Sequence, residues 1–85
     1  MSLEHDDGYT LYTLSYCPYC VGAKEFLLES KISHTIICMD EREDLLDEIK
    51  KLWQWKTVPL VLEKKGLTLR LVGGFDDLKK ELEDV

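Results

Sequence analysis

Residues 9–30, YTLYTLSYCPYCVGAKEFLLES, set a strand, a paired-cysteine motif and a helix end to end. The β-branched and aromatic run Tyr9–Ser15 predicts a strand. Pro18 suits the opening turn of a helix, where no amide partner is needed. Ala23, Phe26, Leu27 and Ser30 recur at a spacing of three to four, which carries that helix over about residues 18–30. Cys17 therefore falls at a helix N-terminal edge, where unpaired amides and the macrodipole favour thiolate over thiol. Since the thiolate is the attacking species, this placement makes Cys17 the nucleophile. Cys20, one turn further in and less exposed, becomes the resolving partner.

Outward from this unit the pattern alternates. Ser33–Met39 reads as a second strand, and Asp40 is expected to cap a second helix with one apolar face of Leu45, Leu46, Ile49, Leu52 and Trp53. Pro59–Glu63 and Leu67–Val72 read as strands joined at Lys64-Lys65-Gly66. Gly73-Gly74 breaks the chain before a last helix with Phe75, Leu78, Leu82 and Val85 inward. The order is βαβαββα. Two strands joined through a helix should be parallel neighbours with a right-handed crossover. The closing hairpin adds antiparallel strands, giving a four-stranded mixed α/β sheet flanked by helices.

Eighty-five residues suffice for one small domain, placed at 9–85 behind a disordered leader at 1–8 that holds His5. Eleven Lys+Arg against seventeen Asp+Glu leave a net charge of -6, which argues against non-specific nucleic-acid binding. No apolar run approaches the roughly 20 residues of a membrane span. Three cysteines fit a reducing compartment better than a secreted disulfide scaffold, so a cytoplasmic location is expected.

A bare C-x-x-C also suits zinc, and Cys17, Cys20, His34 and Cys38 fall within zinc-finger spacing. Against this, Thr35-Ile36-Ile37 is a strand-forming run, and four strand residues span roughly 13 Å. No metal site is assigned. Cys38, between Ile37 and Met39, reads as an inert buried hydrophobe, and His34 as exposed at the strand's start.

With Cys17-Pro18-Tyr19-Cys20, Thr57-Val58-Pro59 and Gly73-Gly74-Phe75-Asp76-Asp77 in this order and separation, the chain resembles a dithiol glutaredoxin over residues 9–85. The resemblance implies a thioredoxin-like fold with strand order 2-1-3-4 and a cis Val58-Pro59 bond. It also implies glutathione-dependent reduction of protein disulfides and glutathione mixed disulfides, with glutathione as reducing co-substrate rather than bound cofactor. Tyr19, Lys56, Thr57, Val58, Pro59, Gly74, Phe75, Asp76 and Asp77 would then hold glutathione. Val58 would offer backbone hydrogen bonds and Gly73-Gly74 an anion site at the last helix. Asp76 or Asp77 would meet the γ-glutamyl ammonium, and Lys56 the glycyl carboxylate.

Two positions depart from the family pattern: Leu14 replaces a common lysine, and Trp55 stands where small or polar residues are usual. The implied partners are glutathione and disulfide-bonded or glutathionylated proteins, acted on by a monomer. Three other readings stay open: an electron donor reduced by thioredoxin reductase and feeding an enzyme such as ribonucleotide reductase, an iron–sulfur module, and a zinc module.

Overall fold

The computed structural model describes residues 7–83. Seven elements follow in the expected order: β1 (Gly8–Thr13), α1 (Pro18–Glu29), β2 (His34–Cys38), α2 (Glu43–Trp53), β3 (Leu60–Lys65), β4 (Thr68–Gly73) and α3 (Phe75–Glu83). They build one sheet in the order β2-β1-β3-β4. Strand β1 is its parallel–antiparallel junction, with Leu11 opposite Ile36 of β2 on one side and Val61 of β3 on the other. The first strand begins one residue earlier than expected, at Gly8, and the Asp7 carboxylate accepts the Gly66 N–H at 2.9 Å. Residues 1–6 of the expected leader, His5 included, lie outside the described residues, as does Val85.

Burial explains why these segments hold together. Tyr9, Leu11 and Val61 on one sheet face pack against Ala23 and Leu27 of α1 and Leu78 of α3. A second cluster joins Leu14, Cys17, Cys20, Met39 and Leu46, with Tyr12 and Ile37 of the sheet packed on it. Each fully buried leucine contributes about 1.5–3 kcal/mol. Gly66 takes a φ of 62° where Lys65 pairs with Thr68, so the hairpin turns through Gly66-Leu67, slightly beyond the expected Lys64-Lys65-Gly66.

Three expectations are corrected. Asp40 does not cap α2; the capping position belongs to Arg42, which makes no side-chain cap bond, and Glu43 and Asp44 satisfy the helix dipole instead. The apolar face of α2 is split, with Leu46 buried while Leu45 and Leu52 stay exposed at 44% and 76%. Five apolar positions cover more arc than one contact with the sheet can bury. Cys38 is exposed rather than buried in the core. It ends β2, the edge strand, and alternation turns its side chain away from the face where Met39 is buried. His34 opens that strand as expected but is half-buried, with Nδ1 2.7 Å from the Ile32 carbonyl.

A polar cluster borders the sheet face that carries α1 and α3. Arg70 of β4 bridges Glu63 of β3 and Glu81 of α3, and the Tyr9 hydroxyl donates to Glu81 at 3.0 Å. Burial, the Glu81 bond and nearby negative charge push the Tyr9 phenol up to about 12 from 10.0. A group whose pKa is raised by folding contributes fully below its unfolded pKa and loses that contribution as pH rises through the folded one. Tyr9→Phe is therefore expected to cost about 1 kcal/mol at neutral pH. The gap from wild type should close between pH 10 and about 12 in denaturant melts. A gap constant through that window would contradict the assignment.

Candidate active site

Three chain turns converge at one end of the sheet. In the first, Cys17 takes an extended conformation (φ -98°, ψ 114°) immediately before α1. Its Sγ accepts the Cys20 N–H at 3.4 Å, and its thiol lies 3.6 Å from the Val58 carbonyl. Its own amide donates to the Leu14 carbonyl at 3.1 Å. Cys17 thus occupies the helix N-cap, where sulfur takes the part usually played by a serine or aspartate oxygen. Both cysteines are free thiols. Cys17 retains 9% exposure and Cys20 only 1%.

Burial, then the hydrogen bond with Cys17 and its charge, push the Cys20 thiol up to about 12, against lowering by the Leu14 backbone and Lys24. Cys20 therefore carries its proton at neutral pH. With iodoacetamide at pH 7, Cys20 of the native reduced protein is expected to remain unlabelled while exposed Cys38 reacts. Peptide mapping checks this, and labelling of Cys20 at the rate of Cys38 would refute the placement.

The segment leading to Cys17 is fastened by Asp40. Its carboxylate accepts both the Ser15 N–H at 2.9 Å and the Ser15 hydroxyl at 2.5 Å. These bonds hold the Asp40 carboxyl below the usual carboxylate range. The residue expected to cap α2 instead ties the end of β2 to the approach of the cysteine motif. Leu14, in the position where the family's lysine is common, is buried in the core.

The second turn is Gln54–Pro59. Gln54 ends α2 in a left-handed conformation, and Val58-Pro59 is cis, as expected. The third is the entry to α3, where Gly73 has a φ of 126° and the Gly74 N–H donates to the Asp77 carboxylate at 3.0 Å. Asp77 is thus a helix-capping group reaching back over Gly73.

Between these turns lies a cleft of about 260 Å³. Tyr19 lines it from α1, and Thr57, Val58 and Pro59 from the second turn. Gly74, Phe75, Asp76 and Asp77 line it from the third. Eight of the nine glutathione positions named from the sequence are brought together. Lys56 is the exception; it lines an adjoining groove with Gln54, Trp55 and Thr57.

The sequence reading treated Trp55 only as a departure, yet Trp55 forms part of the cleft wall. Its Nε1 is a buried nitrogen without a hydrogen-bond partner among the described residues, a state that costs about 1–3 kcal/mol. Its adjacency to Thr57-Val58-Pro59 was the available signal. The Ser15–Asp40 tie was also missed, and no local pattern announces a contact across 25 residues.

The glutaredoxin family model matches residues 9–65, about two-thirds of the chain. The chain belongs to the glutaredoxin family. A glutaredoxin of Pseudomonas aeruginosa is 32% identical over 68 residues, covering 80% of this chain and 76% of that one. A wheat glutaredoxin crystal structure superposes with a TM-score of 0.77 at 23% identity, covering 89% of this chain and 71% of that one. A buckwheat glutaredoxin–glutathione complex gives a TM-score of 0.74 at 21% identity, covering 92% and 70% respectively. These structures share the thioredoxin-like fold. A glutaredoxin of this kind is a thiol–disulfide oxidoreductase, and the free Cys17–Cys20 pair supplies the dithiol. Among the described residues, no helix is long and apolar enough to cross a membrane.

Proposed function

We propose that this glutaredoxin uses glutathione to reduce glutathione mixed disulfides and protein disulfides, with Cys17 as nucleophile and Cys20 as resolving thiol. The observation carrying the reading is the cleft that begins at Tyr19, beside Cys17, and runs between Val58-Pro59 and the start of α3. An extended peptide thiol fits such a trough. The buckwheat relative, solved with glutathione, supports that choice of ligand.

The Cys17 thiolate attacks the glutathione sulfur of a mixed disulfide. The sulfur–sulfur bond breaks, the protein thiolate leaves, and Cys17 carries glutathione. A second glutathione thiolate attacks that adduct, restores Cys17 and departs as glutathione disulfide. With a protein disulfide, Cys17 forms the mixed disulfide and Cys20 displaces the product. Two glutathiones then reduce the Cys17–Cys20 bridge.

The environment of Cys20 orders these steps. While Cys17 is free, its hydrogen bond and charge help to hold the Cys20 proton; once Cys17 is in a disulfide, its charge is gone and Cys20 deprotonates more readily.

The test is reduction of a small glutathionyl disulfide, driven either by glutathione with glutathione reductase or by thioredoxin reductase. Turnover with the first and little with the second is expected. The reverse would favour the dedicated electron-donor reading.

A further inference from the structure

The cleft is electrically one-sided. Asp76 and Asp77 line it, and no lysine or arginine does among the described residues. Glutathione nevertheless brings two carboxylates. Of the nearby cations, Lys50, Lys51 and Lys56 line a neighbouring groove together with Trp55, and the Lys79 ammonium sits over the Phe75 ring, 5.6 Å from its centroid. Trp55 is common to both and forms the partition between them. The Gly74 amide, a donor at the start of α3, is already taken by Asp77.

The one buried side-chain donor without a partner among the described residues is the indole N–H of Trp55, on this wall. The ring atom Cζ2 lies 3.7 Å from where a Gly74 side chain would begin. Cζ2 and Nε1 flank the same ring-fusion carbon, so the edge bearing the N–H is turned toward Gly74. Trp55 as a whole is half-buried, while its Nε1 is buried.

We propose that Trp55 is the specificity-determining residue of this cleft, its indole N–H donating to a carboxylate oxygen of bound glutathione. The orphaned donor gains its partner only when the cleft is filled, and a ligand lacking an acceptor at that point leaves it unpaired. Trp55 would thus supply the recognition that the family resemblance implies for Lys56. The proposal rests on glutathione being the ligand.

The test titrates 15N-labelled reduced protein with S-methylglutathione, which binds without exchanging sulfur. The chain has two tryptophans, and Trp55→Phe assigns their indole signals. In the wild-type protein the Trp55 Nε1–H resonance should move downfield while that of Trp53 stays in place. Trp55→Phe, its fold checked by thermal melt, should bind about 10-fold more weakly, the value of one hydrogen bond. Lys56→Ala should change affinity less than threefold. Wild-type binding with an unmoved Trp55 signal, or with the loss carried by Lys56→Ala, overturns the role of Trp55 alone. Failure of the wild-type protein to bind S-methylglutathione overturns the glutathione reading, and this proposal with it.

Discussion

Cys17→Ser abolishes turnover of a glutathionylated substrate, and Cys20→Ser keeps roughly a third of it or more; this is the largest contrast expected of any pair of substitutions. The asymmetry follows from position. Cys17 sits at the N-cap of α1, at the mouth of the cleft and within reach of the Val58 carbonyl. Cys20 is 1% exposed and protonated up to about pH 12. A hydroxyl at position 17 is no nucleophile at neutral pH, so the loss should exceed about 1,000-fold. With a glutathione mixed disulfide, Cys20 has no obligatory part. Reduction of a protein disulfide should instead suffer in both variants, because only Cys20 can displace that product. Steady-state assays on the two substrate classes check this, and equal losses on the glutathionylated substrate would overturn the division of roles.

Gly73→Ala should be strongly damaging for a single added methyl group. A Cβ at this position would collide with the Asp77 carboxylate, and the φ of 126° is one that side chains rarely adopt. The backbone strain costs about 1–2 kcal/mol. Displacing Asp77 also removes the cap on the Gly74 N–H, worth about 1 kcal/mol. A loss of about 2–3 kcal/mol lowers the melting temperature of a domain this size by about 8–24 °C. Asp77→Ala isolates the cap and should lower it by about 4–8 °C. The same displacement moves the α3 wall of the cleft, so KM for the glutathionyl substrate should rise in Gly73→Ala. A melting temperature within 2 °C of wild type would show that the turn relaxes freely.

The fold was legible because its determinants are local. The β-branched and aromatic run around Leu11, the apolar run around Val61, the Pro18 helix start and the Gly66 turn each announce an element within a few residues. The parallel pairing of β1 with β2 follows from the intervening helix. What escaped depends on which elements cover which surface. Exposure of Cys38, Leu45 and Leu52 is decided by what packs over β2 and α2, and composition carries no mark of that.

At the site, eight of the residues implied by the resemblance line one cleft, while Lys56 lines the adjoining groove, because adjacency in the chain does not fix the side of the loop a residue faces. Asp40 was read as a cap because aspartate before a helical run commonly is one. Its actual partner, Ser15, becomes a neighbour only once β1 and β2 are paired.

The most direct test identifies the sulfur that carries glutathione. Cys20→Ser/Cys38→Ser protein, incubated with oxidised glutathione and mapped by mass spectrometry, should hold one glutathione, on Cys17. Cys17→Ser/Cys38→Ser protein, treated alike, should hold almost none, since Cys20 is buried and protonated. An adduct forming on Cys20 as readily as on Cys17 would contradict the account.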